Sequence, residues 1–386
     1  MNNICRIKIM SIVGARPNFM KIAPISNAII KFNESNATET IIDHVIVHTG
    51  QHYDAKMSTM FFVELGIPIP DVNLEVGSGT HAMQTSEIMR RFEPVILEYM
   101  PDVLLVVGDV NSTIACTLVA AKIEYPKDQE RKRPVIVHVE AGLRSFDMEM
   151  PEEINRILTD AISDILFTTE AAGNENLLRA GVAKEHIHFV GNVMIDTLLA
   201  HRERAALSPI LANLQIKPQQ YAVVTLHRPS NVDDYATFGG IMSSLNEIAL
   251  DLPVIFPIHP RTKKRLAEWQ IFCSDAIRFV EPLGYIDFLK LVSEARIVLT
   301  DSGGIQEETT VLGVPCITLR NNTERPVTVT DGTNHLAGVE PEAILKIVNQ
   351  VLTNWQKPDK LPALWDGKAA ERIVAALASD VLGRRS

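Results

Sequence analysis

The stretch Leu299–Pro326, LTDSGGIQEETTVLGVPCITLRNNTERP, decides how the rest of the chain is read. Ile297, Val298 and Leu299 read as the end of a buried strand, Thr300–Gly304 as a tight polar turn, and Ile305–Leu312 as a helix closed by Gly313 and Pro315. A strand that turns straight into a helix aims several backbone N–H groups and the positive end of the helix dipole at one spot. Gly303 and Gly304 let a ligand come close to that backbone, so the turn forms a cradle for an anion, most naturally phosphate. Glu307 and Glu308 follow one turn later, where an acidic side chain is well placed to accept hydrogen bonds from ribose hydroxyls. Cradle and carboxylates together point to a nucleotide. The same residues also fit a plain helix cap, with Asp301 or Ser302 capping and glutamates in the turns that follow. On its own the stretch leaves both readings open.

Working outward, 386 residues are too many for one ordinary core and fit two domains of roughly 190 residues each. Hydrophobic residues at 46% and charged residues at 22% describe a soluble globular protein. A formal net charge of −10 argues against wholesale nucleic-acid binding, while leaving room for a small anionic ligand held by local basic residues. Cys5, Cys116, Cys273 and Cys316 lack CxxC spacing and mostly lie in apolar runs, which reads as reduced, buried thiols in a cytoplasmic protein. The apolar N-terminal stretch is too short and interrupted for a signal peptide or a membrane span, and no later run reaches about 18 apolar residues.

From the start of the chain, one event repeats: an apolar strand, a polar residue at its C-terminal end, then a helix. Ile7–Val13 runs to Gly14, with Arg16 and Lys21 at the junction with a helix over Phe19–Phe32. Val45–Val47 ends in HTGQHYD, followed by a helix over Ala55–Leu65. Val103–Val107 ends in Gly108 and Asp109 before a helix over Asn111–Lys122, and Val135–Val139 ends in Glu140. After a charged loop at Tyr125–Pro134, the segment PEEINRIL opens a helix at Pro151, with Glu152, Glu153, Asn155 and Arg156 in its first turns. Leu166–Thr168 is a further strand, and residues from about 200 to 220 read as a connector. A second series then begins: Ala222–Leu226 ending in His227 and Arg228, Val254–Ile258 ending in His259, Ile277–Val280, and the strand that feeds the cradle. Apolar strands alternating with helices predict parallel sheets covered on both faces, with ligands at the carboxyl ends of the strands. The fold class is therefore α/β, with two Rossmann-like doubly wound domains facing each other across a cleft, residues 1–200 and 201–367, and a tail that is helical in pattern.

Nine motifs, GARPNFMK, HTGQHYD, GDVNST, HVEAGLRS, PEEINR, TLHRPSN, HPRT, LTDSGGIQEE and NNTERP, occur in an order and spacing that resemble the non-hydrolysing UDP-N-acetylglucosamine 2-epimerase family over nearly the whole chain. The resemblance implies a GT-B architecture with the C-terminal helix at about 368–386 packing back onto the first domain, and the interconversion of UDP-GlcNAc and UDP-ManNAc, by anti elimination of UDP to 2-acetamidoglucal and re-addition. It implies Asp109, Glu140 and Glu152 as catalytic carboxylates and His227 as a catalytic or phosphate-contacting histidine. Arg16, Arg156 and the turn Ser302, Gly303 and Gly304 match its diphosphate contacts, with Lys21 at the same substrate site; Glu308 matches its ribose contact, Phe288 a uracil-side contact and Arg325 a further nucleotide contact. Neither metal nor NAD is implied, and the histidines show no close metal-ligand spacing. A homodimer is the family expectation. Gln51 and His259 match residues of a second, activating substrate site in bacterial members, but Asp54 and Ile88 stand where those members carry a glutamine and an arginine.

The chemistry suits the residues. No carbonyl acidifies the C2 proton of the sugar, so a base must act while the departing UDP is strongly stabilised. Inversion also needs one proton-carrying group on each side of C2. Three other activities share much of this machinery: epimerisation of UDP-2,3-diacetamido-glucuronate, hydrolysis that releases free ManNAc, and GT-B glycosyl transfer. Singly, each site residue has a plainer reading, with Glu152 compensating a helix dipole, Asp109 capping a helix and Arg156 in a surface ion pair.

Overall fold

The computed structural model describes residues 5–35, 40–50, 64–127 and 131–383, with the side chains of residues 16, 260 and 380–383 left aside. The chain divides into two compact units, Met1–Thr197 with Ala363–Ser386, and Leu198–Pro362. The first holds a seven-stranded sheet of β1 (Cys5–Val13), β2 (Thr40–His48), β3 (Val72–Asn73), β4 (Val103–Val107), β5 (Val135–Ala141), β6 (Ile165–Thr168) and β7 (Ile187–Phe189), in the order β3-β2-β1-β4-β5-β6-β7. The second holds β8 (Ala222–Thr225), β9 (Val254–Pro257), β10 (Ile277–Val280), β11 (Ile297–Thr300), β12 (Cys316–Thr318) and β13 (Asn334–Leu336), in the order β10-β9-β8-β11-β12-β13. Every ladder among the described strands is parallel. Each unit thus repeats the doubly wound order in which the chain reverses direction beside its first strand, leaving a ligand-sized gap at the carboxyl ends. In the first unit that switch point lies between β1 and β4, and in the second between β8 and β11.

Hydrophobic burial explains why these segments form strands. All five residues of β4 and all seven of β5 are buried, as central parallel strands require. β2 is longer than its apolar stretch Val45–Val47 because its polar residues find partners on β1: Asp43 pairs with Arg6 at 3.0 Å, and the His44 ring nitrogen lies 2.8 Å from the Ser11 hydroxyl. The helix His81–Tyr99 buries Gln84, Ile88, Phe92 and Ile96, a four-residue spacing that lays one face on the sheet. The expected helix at Ala55–Leu65 lies almost wholly outside the described residues, as does Gln51.

The segment around residues 200–220 is not an open connector. It contains the helix Val193–Ala206 and a short turn of helix at Ile210–Asn213, whose Ile210 and Leu211 are buried against Tyr221, Val223 and Leu291. The chain returns to the first unit at Ala363, where Trp365, 2% exposed, donates its indole N–H to the Thr169 carbonyl at 3.0 Å. The helix Ala369–Gly383 then packs beside Arg16–Glu34. Its first turn is capped from a distance: the Asp196 carboxylate accepts from the Ala369 and Ala370 main-chain N–H groups at 3.1 and 2.7 Å. Among the described residues no helix is long and apolar enough to cross a membrane.

Candidate active site

In the first unit the polar residues that end β4 and β5 meet the helices that follow β1 and β5. Asn18, in the first turn of Arg16–Glu34, accepts from the main-chain N–H groups of Gly14 and Ala15 and donates to the Val107 carbonyl at 2.9 Å, fixing that helix start to the end of β4. One turn on, the buried Lys21 ammonium is ion-paired with the Glu140 carboxylate, itself 4% exposed. Glu140 stands at φ +74°, where the β5–β6 register shifts between Val139 and Ala141. A glutamate in the left-handed region costs about 1–3 kcal/mol and persists only where its surroundings hold it. Gly108, on the neighbouring strand end at φ +66°, leaves room for this pair: a Cβ there would lie 2.7 Å from Lys21 Nζ.

The helix Pro151–Ile162 turns a polar face inward. Glu153, Asn155, Arg156, Thr159 and Asp160 are buried, while Ile154 and Leu158 are exposed. Arg156, 2% exposed, holds Asp109 at 2.5 Å with one guanidinium nitrogen and Glu153 at 2.6 Å with the other. Glu153 also accepts from the main-chain N–H groups of Ser145 and Phe146, both at 3.0 Å. One further turn along, Asp160 accepts from Arg144 and from the Gly142 N–H, and lies 2.7 Å from Nδ1 of the wholly buried His138. The His138 Nε2 donates to the Gly108 carbonyl at 2.9 Å. A chain of paired charges thus backs both strand ends that carry Glu140 and Asp109. A buried ion costs several kcal/mol unless paired in this way.

Glu152 is half-buried and makes no hydrogen bond or ion pair with the described residues, whereas its neighbour Glu153 anchors the Asp109 partner. Glu153, His138 and Asp160 have no site role in the sequence reading. The phase of the helix carries the signal for two of them, since Glu153, Arg156 and Asp160 recur at three and four residues.

The second unit presents the strand–turn–helix of the opening stretch. The helix spans Gly303–Leu312 and ends at Gly313 in the left-handed region. Neither capping alternative holds: Ser302 makes no side-chain cap, and the buried Asp301 side chain turns to the end of β8 instead. There it lies 2.7 Å from Nδ1 of His227, whose side chain is largely exposed. Glu308, 2% exposed, accepts from the Tyr285 hydroxyl at 3.2 Å. Glu307 is paired with Arg325 at 2.5 Å, and Glu324 with Arg320 at 2.8 Å. The Glu324 carboxyl is held far below the usual range: burial pushes it up, but Arg325, Arg320 and Arg228 outweigh that. Phe288 packs half-buried with Leu291 and Val292 on the helix Tyr285–Ser293. His259 is exposed, and its Nδ1 accepts from the Arg261 N–H at 3.2 Å as a helix cap. Among the described residues no cluster of three His, Cys, Asp or Glu is placed to hold a metal ion.

Two doubly wound parallel units in one chain, one with buried carboxylates at its switch point and one with a strand–turn–helix cradle, define a GT-B-like α/β protein. A family model described as UDP-N-acetylglucosamine 2-epimerase matches residues 34–378, and the chain belongs to that family. It is 43% identical over 383 residues to the UDP-N-acetylglucosamine 2-epimerase of Methanocaldococcus jannaschii, covering 96% of this chain and 99% of that one. It is 40% identical over 375 residues to the UDP-2,3-diacetamido-2,3-dideoxy-D-glucuronate 2-epimerase of Pseudomonas aeruginosa, covering 96% and 99%. A crystal structure of the M. jannaschii enzyme in complex with UDP-GlcNAc and UDP superposes with a TM-score of 0.84 at 42% identity, over 97% of this chain and all of that one.

Proposed function

We propose that the chain is a UDP-N-acetylglucosamine 2-epimerase of the non-hydrolysing kind, an isomerase that interconverts UDP-GlcNAc and UDP-ManNAc. The observation that carries this reading is the pairing of Glu140 with Lys21 and of Asp109 with Arg156 on adjacent strand ends, in a chain 43% identical to an enzyme of that name. In the forward direction a carboxylate takes the C2 proton, the C1–O bond breaks with its electron pair leaving on the UDP diphosphate, and C1 and C2 become doubly bonded. Re-addition of UDP with proton return from the opposite face inverts C2. Asp109, Glu140 and Glu152 are the proton carriers in this reading, with Lys21 and Arg156 setting the first two in place. The Ser302, Gly303 and Gly304 turn, His227, Arg16 and Arg325 receive the diphosphate charge; Glu308 takes the ribose and Phe288 the uracil side. The homodimer and the cytoplasmic location implied by the family belong to the same reading, to be checked by sedimentation and cell fractionation.

The test is incubation of the purified chain with UDP-GlcNAc in D2O, followed by NMR. UDP-ManNAc carrying deuterium at C2 is the expected product. UDP with free ManNAc would mean hydrolysis, and turnover only of the 2,3-diacetamido-glucuronate analogue would replace the substrate. Inertness toward both would remove the epimerase reading. Single-turnover wash-in and wash-out of deuterium in Asp109→Asn, Glu140→Gln and Glu152→Gln divides the roles of base and acid.

A further inference from the structure

His227 carries the exposed imidazole of the second unit, and the residue beneath it is Asp301. Asp301 is wholly buried at the end of β11, yet it serves neither its own helix nor a basic side chain of that helix. Its oxygens accept instead from the main-chain N–H groups of His227 at 3.0 Å and Arg228 at 2.9 Å, and Oδ1 lies 2.7 Å from His227 Nδ1. Arg228 completes the clasp by donating from Nε to the Asp301 main-chain carbonyl at 2.9 Å. Backbone and ring of His227 are thus tied to one carboxylate, while the rest of the imidazole faces outward.

We infer that Asp301 is a positioning residue for His227: it accepts the Nδ1–H of the imidazole, so that the ring turns Nε2 outward and carries a proton there when the diphosphate leaves. This rests on the epimerase reading above. Three features favour it. A carboxylate at ion-pair distance stabilises a ring protonated on both nitrogens, and a protonated Nε2 is the form that can donate to a departing phosphate oxygen. Burial leaves no water to compete for the Asp301 oxygens, so the orientation is firmly held. Burial works against ionisation of Asp301, yet the charge of His227 and the N–H groups of residues 227 and 228 outweigh it and hold this carboxyl below its ordinary range. No bond to His227 is made or broken in this role; the ring meets negative charge as it develops and releases it on re-addition.

A carboxylate that merely braced the 227–228 turn would make the same main-chain contacts, so the test must read the ring itself. In full-length protein labelled with 15N-histidine, long-range 1H–15N spectra report the protonation of each ring nitrogen, with His227 identified by its loss in His227→Gln. Wild type is expected to show a protonated Nδ1. An Nδ1 without a proton in wild type would overturn the inference with no variant needed. Asp301→Asn keeps an oxygen for the main-chain donors but removes the charge. It is expected to move His227 to the neutral form protonated on Nε2 alone, which keeps the outward donor but loses the positive charge that meets the diphosphate, and so to lower kcat about 100-fold or more. KM for UDP-GlcNAc, which binds before the leaving-group charge develops, should change less than about threefold. An unchanged His227 spectrum in the variant, or a loss of kcat/KM carried by KM for UDP-GlcNAc with kcat kept, would reduce Asp301 to a brace and refute the inference. The spectrum needs no turnover, so a wild type that fails to epimerise UDP-GlcNAc would remove the activity reading and still leave the Asp301–His227 contact decided.

Discussion

Gly108 and Gly142 both hold positive φ, at +66° and +79°, and the structure predicts opposite outcomes for replacing each with alanine. In either place alanine in the left-handed region costs about 1–2 kcal/mol. What differs is the neighbour. At Gly108 the added Cβ meets the tip of Lys21, 2.7 Å away, which must retreat by about 0.7 Å to reach ordinary contact. A lysine terminus moves at little expense, so Gly108→Ala should lower the thermal midpoint by only a few degrees. The retreat, however, displaces Lys21 against Glu140 without parting the pair, and a displacement approaching an ångström in a reacting constellation is worth on the order of 100-fold in rate. At Gly142 the Cβ meets the Gly173 carbonyl oxygen at 2.4 Å and two further backbone atoms of that residue within 2.9 Å. Gly142 is also held on both sides, donating to Asp160 at 3.1 Å and accepting from Asn176 at 2.9 Å. Relief must therefore move the helix Ala171–Arg179 bodily, so strain and overpacking together reach about 2–5 kcal/mol. The assay pairs differential scanning calorimetry with epimerisation kinetics on the soluble fraction. Gly108→Ala should fold well and turn over poorly; Gly142→Ala should lose most of its folded yield. Full kcat in Gly108→Ala, or equal losses of midpoint in the two variants, would refute the reasoning.

Three further outcomes follow from the same geometry. Glu153→Gln leaves Arg156 beside a neutral amide and should cost about 3–5 kcal/mol by chemical denaturation, whereas Glu152→Gln, half-buried with no partner among the described residues, should cost less than about 1 kcal/mol. Asp196 has its carboxyl pushed up by burial to about 6. Its stabilising contribution is therefore fully present below its unfolded value near 3.8 and is lost as pH rises through about 6, a span of about 3 kcal/mol. The midpoint of wild type relative to Asp196→Asn should accordingly fall between about pH 4 and pH 6 and level off above, and parallel pH profiles would contradict this. Trp365→Ala should cost about 3–5 kcal/mol and expose the C-terminal helix to limited proteolysis, while Trp365→Phe, which mainly loses the bond to Thr169, should cost about 1 kcal/mol.

Much of the architecture is legible in the chain because central parallel strands are continuous apolar runs. Val103–Val107, Val135–Val139 and Ile297–Leu299 announce themselves, and so do the polar residues that end them, Asp109, Glu140 and Asp301. The repeated strand–helix alternation then determines the fold class, and the ordered motifs the family. The shortest strands are not legible in the sequence. Val72–Asn73, Ile187–Phe189, Cys316–Thr318 and Asn334–Leu336 span only two or three residues, too few to show a period, and exist because a neighbouring strand offers a ladder.

The site divides in the same way. Sequence alone determined that carboxylates, a histidine and a glycine turn stand at strand ends, since that follows from local composition. Only the tertiary structure decided what each one touches. Glu152 and Glu153 are neighbours in sequence, but about 100° of helical rotation separates them, and the packing of one face against β5 and the helix Asn111–Lys122 turns Glu153, not Glu152, inward to Arg156. Asp301 sits where a helix cap would, yet 74 residues away His227 is brought beside it by the pairing of β8 with β11. Partnerships of that kind depend on which strands lie side by side, and strand order comes from how the whole apolar core closes rather than from any local signal.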